Sequence, residues 1–293
     1  MPPIMAIERI EKLPRMKERA GDGHKGTYGT VLAFAGGRGS AGAAALVGGS
    51  ALRSGAGLVR VLCPDEVQPT VASFEPSYMT YPVVSDPDGL ASLGSSKRIL
   101  DRFLPTASVL AMGPGMGQSP ALRELLRWVL DTVTVPTVLD ADALNNLAGQ
   151  TEALSKLKRP VVLTPHPGEF ARLTSRTTEE IQADRETHAL ALAETPNLIV
   201  VLKGEGTIVT DGTRLYVNTT GNPGMATGGS GDALTGVIAA LIAQKMDPFD
   251  AACLGVYAHG LAGDIARDQN GVVGMIAGDI VDSLADAFHH LAP

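Results

Sequence analysis

The stretch GNPGMATGGSGDALTGVIAALIA, residues 221–243, decides how this chain is read. Six of its first sixteen residues are glycine. After Asp232, the apolar residues Leu234, Val237, Ile238, Leu241 and Ile242 recur on one face of a 3.6-residue period. A glycine-dense turn therefore runs directly into an apolar helix, with a carboxylate at the junction. Gly228, Gly229 and Gly231 permit backbone conformations that aim successive N–H groups at one point, and the helix start adds the positive end of its dipole. With Ser230 between them, these residues form a candidate anion hole suited to a phosphoryl group in transfer. Asp232 beside it is the candidate general base, able to take a proton from an attacking hydroxyl. The same pattern also describes a plain glycine loop before an Asp-capped helix.

Upstream, short continuous apolar runs alternate with helical patterns. The runs are TVLAFAGG (30–37), GLVRVLCP (57–64), ASVLAMGPG (107–115), PTVLDAD (136–142), PVVLTPH (160–166) and NLIVVLKG (197–204). Such runs suit strands buried on both faces of a parallel sheet. PALRELLRWVL (120–130) and the Ala-rich residues 41–53 read as helices between them. The alternation predicts an α/β fold with a central, mostly parallel sheet and helices on both faces. TIVTDGTRLYVN (207–218) reads as a hairpin turning at Asp211-Gly212-Thr213. The last 60 residues read as mostly helical, while residues 65–106, with scattered prolines and weak periodicity, yield no clear elements. No repeat, low-complexity linker or domain boundary is visible, so residues 1–293 read as one domain.

In such sheets ligands bind beyond the carboxyl ends of the strands. The segments there are AGGRGSAG (35–42), GPGMG (113–117), DADALNN (140–146), TPHPGE (164–169) and KGEGT (203–207). With GGSGD they are expected to line one crevice.

Several functions are disfavoured by composition. A net charge of −7 argues against nucleic acid or an anionic membrane as partner, and 4% aromatic residues argue against a base-stacking platform. No apolar run approaches the roughly 20 residues that span a bilayer, and the charged N-terminus has no signal-peptide core. Cys63 and Cys253 stand apart in apolar surroundings and read as buried thiols of a cytoplasmic protein. There is no Walker A motif and no dedicated transition-metal spacing, so the metal ligands are not named by the sequence.

Individual motifs carry competing readings. Gly37, Gly39 and Gly42 form a G-x-G-x-x-G after a strand, with Asp65 further on, which is either a dinucleotide fingerprint or a tight turn with close helix packing. His166, held between Pro165 and Pro167 at a strand end, reads as a ligand contact or a structural histidine. Glu169 is either magnesium-related or the acidic first-turn residue of a helix. Asp140 and Asp142 resemble a metal pair, but equally an N-cap and a turn residue for a helix through Ala143 to Leu147.

GGSGD followed by an apolar helix resembles the anion hole and catalytic Asp of ribokinase-like kinases. The fuller set is GHKGTYG (23–29), GSAGAAAL (39–46), RSGAGLV (53–59), GPGMG, LDADALN, LTPHPGEFARL, KGEGT and NPGMATGGSGDALTG. Together they resemble the NAD(P)H-hydrate dehydratases from Gly23 to the C-terminal helices. The resemblance implies a ribokinase-like fold and repair of hydrated NADH and NADPH (NADHX and NADPHX), with ADP or ATP as co-substrate and Mg2+. Lys203, Gly204, Glu205, Gly206, Thr207 and Gly231 match the family's nucleotide contacts. Ala43, a glycine of the GPGMG loop (Gly115, then Gly117), His166 and Asp232 match its contacts to the hydrated dinucleotide. The G-x-G-x-x-G turn then faces a dinucleotide as substrate. The resemblance also implies a homo-oligomer, a tetramer among the possibilities. Because some twenty residues precede GHKG, the N-terminal epimerase domain of certain relatives is expected to be absent. Two other readings stand beside this one: a vitamin-precursor kinase of the same fold, and a non-catalytic nucleotide-binding protein.

Overall fold

The strands share one ten-stranded sheet in a computed structural model that describes residues 7–292. The first six residues and Pro293, included in the one-domain reading, lie outside the described residues. The strands are β1 (Glu8–Arg9), β2 (Thr30–Phe34), β3 (Leu58–Pro64), β4 (Met79–Val83), β5 (Val109–Met112), β6 (Thr137–Leu139), β7 (Val161–Leu163), β8 (Leu198–Leu202), β9 (Ile208–Thr210) and β10 (Arg214–Val217). Their order is β1-β10-β9-β8-β7-β6-β5-β2-β3-β4. From β8 across to β4 every neighbouring pair is parallel, and β9 and β10 add an antiparallel hairpin. The hairpin turns where expected: Gly212 has φ +86°, and Asp211 Oδ1 accepts from the amides of Thr213 and Arg214.

The helices are α1 (Ala41–Arg53), α2 (Gln68–Phe74), α3 (Leu93–Phe103), α4 (Pro120–Thr132), α5 (Asp142–Asn146), α6 (Pro167–Thr174), α7 (Thr178–Ala183), α8 (Arg185–Ala193), α9 (Ser230–Ala243), α10 (Pro248–Gly274) and α11 (Ala277–His290). Alternate strand residues send their side chains to opposite faces. Val31 and Ala33 join a core with α1, α2, α9, α10 and α11, whereas Leu32 and Phe34 join a second core with α3 to α8. Both faces are thereby covered, which is why the strands read as unbroken apolar runs.

Local chemistry sets the helix ends. Ser119 caps α4 by accepting from Leu122 N at 3.2 Å, with Pro120 in the first turn. At the other end of α4, the buried Arg159 donates to Val129 O and Leu130 O at 2.9 and 3.0 Å. On the opposite face, Gly236 lets α9 lie against α1: a Cβ there would stand 2.3 Å from Val47 O.

All six strands expected from the apolar runs are present, shorter than read because the runs included the turn residues that follow. The opaque residues 65–106 contain α2, β4 and α3. β4, MTYPV, is an edge strand, where Pro82 leaves no central ladder bond unmade. Cys63 and Cys253 are both buried, and burial pushes the Cys63 thiol up to about 12. No helix among the described residues is long and apolar enough to cross a membrane.

Candidate functional site

Six chain segments meet at the carboxyl edge, joined by hydrogen bonds most of which end on residues 140–146. Ser40 Oγ, before α1, donates to Gly115 O at 2.7 Å. Gly117 N donates to Asp142 Oδ2 at 3.0 Å, and Asn146 Nδ2 to Gly117 O at 2.9 Å. Arg172 of α6 donates to Asn145 Oδ1 at 3.0 Å. Lys203, after β8, donates to Asp140 after β6, and Thr235 of α9 donates to the same aspartate. Gly115 (φ +63°) and Gly117 (φ +78°) adopt left-handed backbone that favours glycine. A Cβ on Gly115 would lie 2.9 Å from that of Ala43, so these two sequence candidates are neighbours.

At the start of α9, Gly229 takes φ +90°, and the helix has no side-chain cap. The amides of Gly228, Gly229, Gly231 and Asp232 meet no protein acceptor among the described residues, while Ser230 N turns back to Thr227 O at 3.4 Å. Nothing lies within 4 Å of where a Gly228 Cβ would be. The turn is thus open on one side and lined by unspent donors, the arrangement that attracts an anion. Asp232 sits in the first turn, and its carboxylate has no hydrogen-bond donor among the described residues. Burial and the neighbouring Asp140 carboxylate push its pKa up to about 6, against the pull of Lys203.

A charged cluster lies beneath. Asp140, 1% exposed, accepts from Lys203 Nζ and from Thr235 Oγ1, both at 2.8 Å. Lys203, 19% exposed at its side chain, also lies 3.8 Å from Glu169 Oε2. Burial would lower the lysine's pKa, but Asp140 and Glu169 outweigh it and hold the value above the ordinary one. A Cβ on Gly231 would come within 2.9 Å of Lys203 Nζ, so the glycine lets the ammonium press against the α9 turn.

The readings of the two aspartates need correction. Asp140 is not an N-cap; the cap position before α5 is Ala141, at φ +48°, and Asp142 is the first helical residue. Asp140 accepts from Lys203 and Thr235, and Asp142 from Gly117 N and Asn145. Among the described residues, no group of three or more His, Cys, Asp and Glu side chains could hold a metal.

His166 does two things at the start of α6. Its Nδ1 accepts from Gly168 N at 3.0 Å and Glu169 N at 3.4 Å, and Glu169 Oε2 accepts in return from His166 N at 2.8 Å. The imidazole is half exposed at the crevice, and burial holds its pKa below the ordinary value against the attraction of Glu169. In the KGEGT turn, Thr207 Oγ1 donates to Gly204 O at 2.9 Å, and the amides of Glu205 and Gly206 meet no protein acceptor among the described residues. Asp65, by contrast, is occupied by the amide and hydroxyl of Ser85, as a local loop anchor.

Sequence reading missed the supports behind this edge. On α10, His259 (7% exposed) contacts Ser230 O through Nε2 at 2.9 Å, and Asp264 accepts from Gly221 N and Asn222 Nδ2 at 2.9 and 3.0 Å. Gly260 and Gly263 let the preceding loop lie on the helix: Cβ atoms there would meet Thr220 and Met225 at 2.3 Å. Two glycines three apart beside a histidine, within a helical pattern, were the available signal. GHKGTYG precedes β2 and lies at the opposite, amino edge, where a Cβ on Gly29 would strike Ala243 O at the end of α9.

A glycine turn and acidic helix start at the carboxyl edge of this sheet define a ribokinase-like fold. A family model described as NAD(P)H-hydrate dehydratase matches residues 31–286, and the chain belongs to that family. It is 45% identical over 282 residues to the bifunctional NAD(P)H-hydrate repair enzyme of Moorella thermoacetica, covering 96% of this chain and 52% of the relative. The chain thus spans about half the length of the bifunctional curated relatives it matches. It is 35% identical over 272 residues to the ADP-dependent (S)-NAD(P)H-hydrate dehydratase of Bacillus subtilis, covering 92% of each. The crystal structure of the Bacillus subtilis ADP/ATP-dependent NAD(P)H-hydrate dehydratase, co-crystallised with ATP/Mg2+, superposes with a TM-score of 0.81 at 32% identity, covering 94% of this chain and 95% of that one. These relatives do not favour the vitamin-precursor kinase.

Proposed function

We propose that this chain is a nucleotide-dependent (S)-NAD(P)H-hydrate dehydratase, restoring NADH and NADPH from NADHX and NADPHX while ADP becomes AMP and phosphate. The observation that carries the reading is Asp232: a carboxylate without a protein donor, raised to about 6, beside a turn of unspent amides. At neutral pH it is mostly ionised, yet more basic than an exposed aspartate, as general-base work requires. Asp232 takes the proton of the hydrate's C6 hydroxyl, and the hydroxyl oxygen attacks the terminal phosphorus of ADP as the bond to AMP breaks. The amides of Gly228, Gly229 and Gly231, the α9 dipole and the Lys203 ammonium stabilise the charge on the transferring phosphoryl group. The ring nitrogen's lone pair then expels phosphate from C6 to give an iminium ion, and loss of a C5 proton to the departing phosphate leaves the dihydronicotinamide.

KGEGT takes the nucleotide, while Ala43, Gly115, Gly117 and His166 face the hydrated dinucleotide. Magnesium would accompany the nucleotide as the counter-ion of its phosphates, in keeping with the ATP/Mg2+ co-crystallised with the Bacillus subtilis relative. The names of the relatives support this reading: the Bacillus subtilis relative is ADP-dependent. We place the reaction in the cytoplasm, consistent with two free buried thiols.

Acid-generated NADHX, incubated with magnesium and either ADP or ATP, should regain NADH absorbance with the wild-type protein. Asp232→Asn should lose at least about 10²-fold in turnover while still binding nucleotide. Near-wild-type turnover by that variant would remove Asp232 as the base.

A further inference from the structure

Arg185, the first residue of α8, extends its guanidinium under the turn that follows β8. It donates to Leu202 O at 2.9 Å, to Lys203 O at 3.1 Å, and to Glu205 O. One planar cation thereby gathers three carbonyls from four consecutive residues. Gly204 runs at φ +141°, and a Cβ there would stand 3.0 Å from the guanidinium, so glycine is what permits the close approach. Arg185 enters none of the ion pairs among the described residues, and its buried Nε has no hydrogen-bond partner. Burial lowers the Arg185 pKa, and the nearby Glu205 carboxylate opposes this without forming an ion pair, so the half-buried charge is offset only in part and a further anion would stabilise it. In the same turn, the amides of Glu205 and Gly206 lack protein acceptors among the described residues.

We propose that Arg185 is a positioning residue for the nucleotide. It holds the carbonyls of the KGEGT turn, leaving the Glu205 and Gly206 amides available to a phosphate, and that phosphate adds to the counter-charge that Glu205 supplies in part. The ligand is a nucleoside diphosphate, so the inference rests on the nucleotide role proposed above.

The fork geometry separates arginine from lysine: lysine keeps the charge but cannot hold three carbonyls from one plane. The test is ADP binding by calorimetry, with kcat and KM, on wild type, Arg185→Lys and Arg185→Met. Both variants should raise Kd and KM for ADP by about 10- to 100-fold, with a smaller change in kcat and an unchanged KM for the hydrate. Should Arg185→Met fail to fold, Arg185→Lys carries the test. Wild-type ADP affinity in Arg185→Lys, or a fall in kcat without a rise in KM for ADP, overturns the inference. If wild type itself binds no ADP, the proposed function fails as well. If wild type binds and both variants match it, only the role of Arg185 falls.

Discussion

Asp140→Asn probes the cluster beneath the anion hole. The carboxylate is 1% exposed and accepts from Lys203 Nζ and Thr235 Oγ1, each at 2.8 Å. Removing one partner of a buried pair costs about 3–5 kcal/mol, because the other charge is left uncompensated. Here the amide oxygen of asparagine still accepts from Thr235, and Glu169 Oε2 remains 3.8 Å from the ammonium. The lower end, about 3 kcal/mol, is therefore expected, which at about 2–4 °C per kcal/mol lowers Tm by about 6–12 °C. Asp140→Asn/Lys203→Met removes both charges and should recover at least about half the loss, since a neutral pair of similar volume avoids the desolvation cost. Urea and thermal melts on the wild type, both single variants and the double variant give the coupling directly. A Tm for Asp140→Asn within about 2 °C of wild type, or strictly additive losses in the double variant, would refute the ion-pair argument.

The remaining predictions concern protons and one contact. The kcat/KM for hydrate repair should fall about tenfold per pH unit below about 6, as the Asp232 group protonates; Asp140→Asn should move this limb to lower pH, and a flat profile from neutrality to about pH 5 would sink the assignment. His166→Ala should lower kcat/KM by about 10- to 100-fold and spare the ADP-induced thermal shift, but it also removes a helix cap worth about 1 kcal/mol. His166→Asn keeps the cap, so wild-type hydrate kinetics in that variant would take His166 off the substrate. Burial lowers the His259 pKa to about 4, so its neutral form stabilises the fold at neutral pH, and that contribution is lost as pH falls from about 6.5 to about 4. Asp232, raised to about 6, has the opposite sign: its contribution is full below about 4 and lost as pH rises through about 6. The comparison is therefore with His259→Gln, which keeps a donor for Ser230 O but cannot take the proton; parallel stability curves for the two proteins between those pH values would refute the assignment.

The sheet was legible because its strands are buried on both faces, so composition alone marks them. β4 was not, because an edge strand tolerates Pro82 and needs no continuous apolar run. β1, of two residues, is too short to show any period. The candidate site was legible where its chemistry is local: the glycine turn, the prolines around His166 and the KGEGT turn each sit within a few residues. What stayed hidden is non-local. Asp140 meets Lys203 across 63 positions and Thr235 across 95, and Arg185 reaches its turn from a helix that looks like any solvated one. Read locally, Asp140 and Asp142 could only be compared with each other, which is why a metal pair or a cap was the available reading.

Those hidden partners determine what Asp232 can do. In water its pKa lies near 3.8, where it would stay ionised at neutral pH but be a weak base toward a hydroxyl. Burial and the carboxylates of Asp140, Glu169 and Asp142 raise it, while Lys203 opposes them, and the balance rests at about 6. Without the ammonium the same burial would carry it higher. Without the carboxylates, Lys203 would pull it lower. Lys203 can sit where it does only because residue 231 has no side chain, with a Cβ there falling 2.9 Å from Nζ. The glycine at the helix start thus serves two ends: its amide is left without a protein acceptor among the described residues, and its missing side chain admits the cation that holds down the pKa of Asp232.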